Sequence, residues 1–407
     1  MHILFLTDNF PPETNAPASR TYEHSLEWVR LGHQVTVVTC APNFPQGRVF
    51  SGYTNKIWQT EIVNGIKVIR VWTFIAANEG FIKRSLDYVS FMLSSFVASF
   101  FIKDVHVIIG TSPQFFTAIS AYFTSLVKRR PWVFELRDIW PESIQAVGAL
   151  RNRKVIRLLE KVELFLYRKS NKVIAVTDSF KTNLVSRGVD KNKVSVITNG
   201  VDMSRFFPLD KDACLLEKFN LSGKFVVGFI GTHGMAHALD TVIEAAEIFQ
   251  NTQYNNKITF LFIGDGAEKK KLVESVNYMN LRNVIFIDSV QKNEIQKYWS
   301  LLDVSVIHLK KTSLFKTVIP SKLFECMGMG LPVLHGVEGE SAEIVKRFDM
   351  GLTFEPESKY DLVDKILLLL DSSEMLLRFQ VNSLKASEHF ERKNLARKMV
   401  DEINLVL

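Results

Sequence analysis

Two rhythms of apolar residues run along this chain. Short, nearly continuous apolar runs occupy positions 3–7, 35–39, 67–71, 105–110, 132–136, 173–177 and 194–198. Longer stretches between them carry apolar residues at helical spacing, the first starting near Ala18. Runs of the first kind read as strands buried on both faces, and those of the second as amphipathic helices. Strand, loop, helix and strand within about 40 residues form a βαβ unit, the mark of a parallel sheet. The rhythm restarts at 225–231 and continues through 258–263, 284–287 and 304–308. Between the two series lie Asn199-Gly200-Val201-Asp202 and Arg205-Phe206-Phe207-Pro208, a turn-rich joint. The pattern predicts an α/β chain with one domain over 1–203, a second over 204–385, and a terminal amphipathic helix over 386–407.

Two stretches need separate treatment. Residues 81–101 are rich in Phe, Leu and Val, but Ser85, Asp87, Ser90, Ser94, Ser95 and Ser99 interrupt them. With no unbroken run of about 18 apolar residues, the expectation is a buried or interfacial helix, with core packing favoured over membrane contact. Residues 151–172 form a basic amphipathic helix with a net charge of +6. A solvated face and a lipid-facing one both account for it.

The candidate chemistry gathers in loops. In a doubly wound sheet, loops at the carboxyl ends of strands face the ligand. One such loop is Arg137-Asp138-Ile139-Trp140-Pro141-Glu142, with a cation, two carboxylates and an indole in six residues. Another is Gly231-Thr232-His233-Gly234, and a third is the tight turn Gly264-Asp265-Gly266. The most informative stretch is Pro320-Ser321-Lys322-Leu323-Phe324-Glu325, followed by Gly328, Gly330 and Pro332-Val333-Leu334. Proline suits a first helical turn, and free N–H groups with a neighbouring lysine attract an anion. Glu325 lies one turn further, on the face Ser321 shares. A ligand with phosphate at one end and hydroxyls at the other fits this mouth, as a nucleoside diphosphate would.

Composition narrows the class. The chain has 407 residues, 47% hydrophobic and 23% charged, an ordinary globular balance. Residues 1–199 hold 25 basic against 15 acidic side chains, a net of +10, and the remainder nets −3. The first half therefore suits an anionic partner. Cys40, Cys214 and Cys326 are odd in number and far apart, which favours reduced thiols over a disulfide framework or a zinc site. The first residues read as a strand and not as a signal peptide. No Gly-x-Gly-x-x-Gly follows the first strand, so a dinucleotide site is not expected. The basic residues lack interleaved stacking aromatics, which argues against nucleic acid. His233, in its Gly-bracketed loop, is singled out among scattered histidines.

Together the two α/β halves, the Asn-Gly-Val-Asp joint, the Gly-Asp-Gly turn and the Pro-Ser-Lys-x-x-Glu helix start resemble the family 4 retaining glycosyltransferases. The resemblance is strongest to the bacterial surface-polysaccharide branch, including N-acetyl-L-fucosamine transferases of O-antigen and capsule assembly. It implies a GT-B fold: two Rossmann-like domains facing a cleft, with the terminal helix crossing back to the first. It further implies a UDP-sugar donor held by the second domain, with Glu325 on the ribose hydroxyls and Ser321 and Lys322 at the diphosphate. Gly264, Asp265 and Gly266 would lie near the base, and Gly231, Thr232, His233 and Gly234 near the phosphates. Thr317 stands where the family often has a glutamate that meets the donor sugar, and Thr232 and His237 replace its usual Arg and Lys pair. A family histidine aligns with Arg137.

By the same resemblance the first domain takes a lipid-diphosphate-linked saccharide acceptor, with Asn15, Arg20 and Glu142 as its candidates. Asp138, Lys322 and Arg137 are then the catalytic candidates, with no cofactor and no obligatory metal, since a helix N-terminus and cations can stabilise the leaving group. The implied location is cytoplasmic, peripheral to an anionic inner-membrane surface. A UDP-sugar 2-epimerase of the same fold and a non-catalytic sugar-nucleotide-binding scaffold are the alternatives.

Overall fold

A computed structural model of the chain describes residues 1–44, 46–75, 81–112, 115–140, 152–291 and 293–407. It divides into two units, Met1–Thr198 with Arg392–Leu407, and Asn199–Glu391.

The first unit is built on eight strands: β1 (His2–Leu6), β2 (Gln34–Cys40), β3 (Trp58–Val63), β4 (Ile66–Val71), β5 (Val107–Thr111), β6 (Trp132–Leu136), β7 (Lys172–Ala175) and β8 (Val194–Val196). Their order is β3-β4-β2-β1-β5-β6-β7-β8. Only β3 and β4 pair antiparallel; β1 sets Ile3 beside Val35 on one side and Val107 on the other. The sheet order reverses at β1, so β1 and β5 flank a switch point where loops diverge. Trp28, Ile3, Val37 and Ile109 share a core with Leu395, Met399 and Ile403 of the helix Arg392–Asn404. The Trp28 indole donates to the Ala396 carbonyl at 2.9 Å, and Glu402 pairs with Lys172 at 2.6 Å.

The terminal stretch is therefore not one helix over 386–407. Helix Ser373–His389 ends in the second unit, and the chain breaks at Phe390 and Glu391, which bind back to Val201, before Arg392–Asn404 begins. Similarly, the basic helix spans Arg153–Lys169, while Lys172 opens β7; Arg151 lies outside the described residues.

Helix Phe81–Phe100 departs from expectation in a different way. Its serines Ser95 and Ser99 are buried, and Ser95 Oγ meets Ser120 Oγ of helix Phe115–Lys128 at 2.8 Å. Small hydroxylated residues line the contact between the two helices; Phe91 and Phe115 are buried, but Leu93, Val97, Phe100, Phe123, Leu126 and Val127 are exposed. Among the described residues no helix is long and apolar enough to cross a membrane.

The second unit holds six parallel strands: β9 (Phe225–Ile230), β10 (Ile258–Ile263), β11 (Val284–Ile287), β12 (Val304–His308), β13 (Val333–Gly336) and β14 (Gly351–Thr353). Their order is β11-β10-β9-β12-β13-β14, with the reversal between β9 and β12. Short β14 has no apolar run to announce it. Gly328 lies within the helix Lys322–Met329. A Cβ there would come 2.8 Å from Val201 and 2.9 Å from the Phe206 carbonyl, so this glycine lets the joint pack on the helix. Gly330, at φ 64°, is the left-handed cap.

Candidate functional site

The second unit brings three sequence-distant loops to one place. Gly231 follows β9 and Gly264 follows β10, both at φ 140°. A Cβ on Gly264 would stand 2.0 Å from the Gly231 carbonyl oxygen, so neither loop could approach the other with a side chain there. His233 N–H donates to the Asp265 carbonyl at 2.9 Å, and Gly266 N–H to Asp265 Oδ1 at 2.8 Å. The loop pair thus exposes Thr232 and Asp265 while closing over His233. That imidazole sits among the rings of Phe229, Phe262 and Phe286, and neither nitrogen has a hydrogen-bond partner among the described residues. Burial, then the charges of Lys269 and Lys322, push its pKa down to about 4. His233 is neutral at neutral pH and does not serve as a cation.

The positive charge comes from Lys322. It opens the helix Lys322–Met329, after Ser321, whose hydroxyl makes no cap bond. Its ammonium lies 3.5 Å from the Phe229 ring centroid and 3.0 Å from where a Gly231 Cβ would be. The residue as a whole is half-buried, yet Nζ is closed off from solvent and no group among the described residues accepts a hydrogen bond from it. Burial lowers its pKa to about 7, against the smaller opposing pull of Cys326 and Glu325. An ammonium held over a ring and beside bare backbone has cation–π attraction but no counter-ion in contact. His237 adds no second charge: burial and Lys322 bring it to about 4.

Glu325 is half-buried one turn along; burial lowers the pKa of the partly buried Arg205, against the smaller opposing pull of Glu325 and Asp202. Arg205 was not singled out from sequence, although it stands in the joint next to the aromatic pair. Thr317 ends a short turn, and its hydroxyl donates to the Leu314 carbonyl at 2.7 Å. Sequence reasoning also missed Lys269, which follows the Gly-Asp-Gly turn. Its Nζ donates to the Gly264 carbonyl at 2.8 Å and pairs with Asp288 at 2.5 Å, holding the turn from behind.

In the first unit the predicted residues meet differently. Arg20 Nε binds Glu135 Oε1 at 2.8 Å, and Arg137 Nη2 binds Glu135 Oε2 at 2.6 Å. Arg137 also donates to the Pro17 carbonyl and the Thr21 hydroxyl, and Arg20 to the carbonyls of Ile197 and Thr198. Burial would raise the Glu135 pKa, but Arg137 and Arg20 together bring it to about 2. The Arg137 guanidinium is committed to Glu135, Pro17 and Thr21. Asp138 follows it half-buried, with its N–H on Ser112 Oγ at 3.2 Å. Asn15 caps the helix Ala16–Arg30, accepting from Ala18 N–H at 2.9 Å. Glu142 lies outside the described residues. Among those described, no group of three or more His, Cys, Asp or Glu could hold a metal ion.

Comparison with known proteins now decides the class. Residues 18–205 match the family profile Glycosyltransferase Family 4, and residues 216–386 match Glycosyl transferases group 1. Both halves match glycosyltransferase models, and the chain is a glycosyltransferase. Over 99% of its length it is 24% identical to the whole of WcaI of Escherichia coli, a glycosyl transferase named for colanic acid biosynthesis. Among solved structures, sucrose-phosphate synthase from Thermosynechococcus elongatus superposes with a TM-score of 0.77 at 16% identity, covering 99% of this chain and 98% of that one. Anabaena HepE, crystallised in complex with UDP, gives 0.70 at 16% identity over 99% of this chain and 100% of its own. This glycosyltransferase therefore has the GT-B fold, with two parallel-sheet α/β domains. The Lys322 helix and both glycine loops lie within the group 1 match.

Proposed function

We propose that this glycosyltransferase retains anomeric configuration and moves a sugar from a UDP-sugar to a lipid-diphosphate-linked saccharide in the assembly of a surface polysaccharide. The supporting observation is the Lys322 ammonium, closed off at a helix start with no acceptor among the described residues. Breaking the glycosidic bond leaves additional negative charge on the diphosphate. A cation and helix N–H groups already in place act mainly on that developing charge and need little reorganisation. Glu325, an acceptor-only carboxylate, suits the two ribose hydroxyls. The likeness to HepE, crystallised with UDP, supports a uridine nucleotide, and the likeness to WcaI supports a polysaccharide pathway. The donor sugar we favour, on motif resemblance alone, is N-acetyl-L-fucosamine.

For the acceptor we assign Asp138, at the end of β6, to orient the incoming hydroxyl or to stabilise positive character on the sugar. The protein is incubated with a panel of UDP-sugars and a lipid-diphosphate acceptor, and early product is read by NMR. Transfer with the donor's anomeric configuration is expected. Inverted product overturns the retaining mechanism, isomerisation without acceptor points to an epimerase, and binding without turnover points to a scaffold.

A further inference from the structure

The helix pair Phe81–Phe100 and Phe115–Lys128 buries Phe91 and Phe115, yet much of its inner face is hydroxylated and much of its outer face apolar. Ser95, Ser99, Ser120, Thr117 and Thr124 are buried where the helices meet the sheet and each other, with no more than 1% of their surface exposed. Facing outward at helical spacing, Leu93 and Val97 are each 55% exposed and Phe101, one residue past the helix end, 71%. Phe123, Leu126 and Val127 of the second helix are about half exposed as well. Small hydroxylated residues at a helix contact, with bulky apolar ones outside, match the packing of helices in an apolar medium rather than in water. Water-soluble surfaces scatter such residues singly, and a contiguous group marks a contact.

The group is contiguous. Phe96 lies 4.9 Å from Phe100 and 6.2 Å from Phe123, and Tyr122 lies 5.4 Å from both Phe123 and Phe165 of helix Arg153–Lys169. At this far side the apolar surface meets charge. Arg153, Lys154, Arg157, Lys161, Arg168 and Lys169 are exposed on that third helix. Of its two acids, Glu163 is turned inward, bound to Arg187 and Tyr167, so only Glu160 offsets them. Lys103, Arg129 and Arg130 are exposed near the other ends of the pair.

We infer that this face of the first unit docks on an anionic lipid surface, with the Phe81–Phe100 and Phe115–Lys128 helices dipping among the acyl chains and the Arg153–Lys169 helix lying over the headgroups. An apolar face edged by cations complements a bilayer with anionic headgroups, whereas a second copy would set the same cations against each other. The two candidate stretches thus act together, one supplying apolar contact and the other charge. The inference is independent of the donor-site reading, because vesicle binding is measured without nucleotide or acceptor.

The test is flotation of the full chain with phosphatidylcholine vesicles, with and without phosphatidylglycerol. Wild-type protein is expected to float with the anionic vesicles and to be released as salt rises. Val97→Glu combined with Phe123→Glu, both at exposed positions, should cut binding at least tenfold while circular dichroism and thermal unfolding stay unchanged. Gln at Arg153, Lys154, Arg157 and Lys161 should weaken binding and flatten its salt dependence. Absence of wild-type binding, or equal binding by the Glu variant, overturns the inference. So does a concentration-dependent dimer that the Glu variant abolishes, in protein that ignores vesicles.

Discussion

Each unit of this glycosyltransferase buries positive charge near the carboxyl ends of its strands, and the two do so in opposite ways. In the first, Arg20 and Arg137 share the two oxygens of Glu135, and their remaining donors find carbonyls and a hydroxyl. In the second, Lys322 has a ring and a glycine for neighbours and no acceptor among the described residues. A buried charge that is paired and fully hydrogen-bonded holds a fold in one arrangement. One left without a partner costs stability, and the cost is offset only when an anion arrives. The difference separates a structural cluster from a binding one more sharply than residue type does, since sequence marks Arg137 and Lys322 alike.

Breaking the paired cluster should have the largest effect. Glu135→Gln leaves two buried guanidinium groups without their counter-ion, so urea unfolding should show a loss of about 3–5 kcal/mol. The same cluster sets an acid limit. With a native pKa of about 2, Glu135 contributes stability that is complete above its unfolded value and is lost as pH falls from there towards 2. A Glu135→Gln protein of unchanged stability would mean that the ion pairs are incidental.

Lys322 should respond in the opposite sense. Lys322→Met should lower kcat by roughly a hundredfold or more, as loss of a preorganised charge-stabilising group does. Ligand-free protein should meanwhile become more stable by about 1–3 kcal/mol, since an unsatisfied buried group is removed. Differential scanning calorimetry beside a transfer assay reads both. Loss of stability together with activity would place Lys322 in the structural class instead.

Next in size is Glu325→Ala, expected to weaken UDP binding by about 1.5–3 kcal/mol, the range for hydrogen bonds to a charged group. Unchanged affinity in titration calorimetry on folded protein would remove Glu325 from the donor site. The finest distinction is in pH. Lys322 has a pKa of about 7 before binding, and a diphosphate raises it. Between pH 7 and that raised value, UDP affinity should fall by about tenfold per pH unit, with proton uptake on binding that differs among buffers of unlike ionisation enthalpy. The slope should vanish in Lys322→Met. A slope that survives there belongs to another group.

Much of the fold was legible because buried parallel strands are written as short apolar runs. Eleven such runs mark strands that the structure contains. What periodicity could not mark was β3, an exposed alternating edge strand, and β14, three half-buried residues long. Nor could spacing tell which side of residues 81–101 would face the core. Of the serines that argue against a membrane span there, Ser95 and Ser99 turn out to line the inner face, where small side chains let two helices close on each other.

At the candidate site, sequence alone determined the helix start at Lys322, the position of Glu325 one turn on, and the glycines that free two loop backbones. Those are local properties, set by caps, spacing and allowed φ. Tertiary structure decided that Gly264 touches Gly231, that Phe229 lies under the Lys322 ammonium, and that Lys269 holds the turn from behind. It decided also that Arg137 turns to Glu135, while Lys322 meets no acceptor among the described residues. Glu135 is a near neighbour of Arg137 in sequence, but the pair is held in place by Arg20, Pro17 and Thr21, which only folding brings to it. That is a fact of packing, which the order of residues along the chain does not carry.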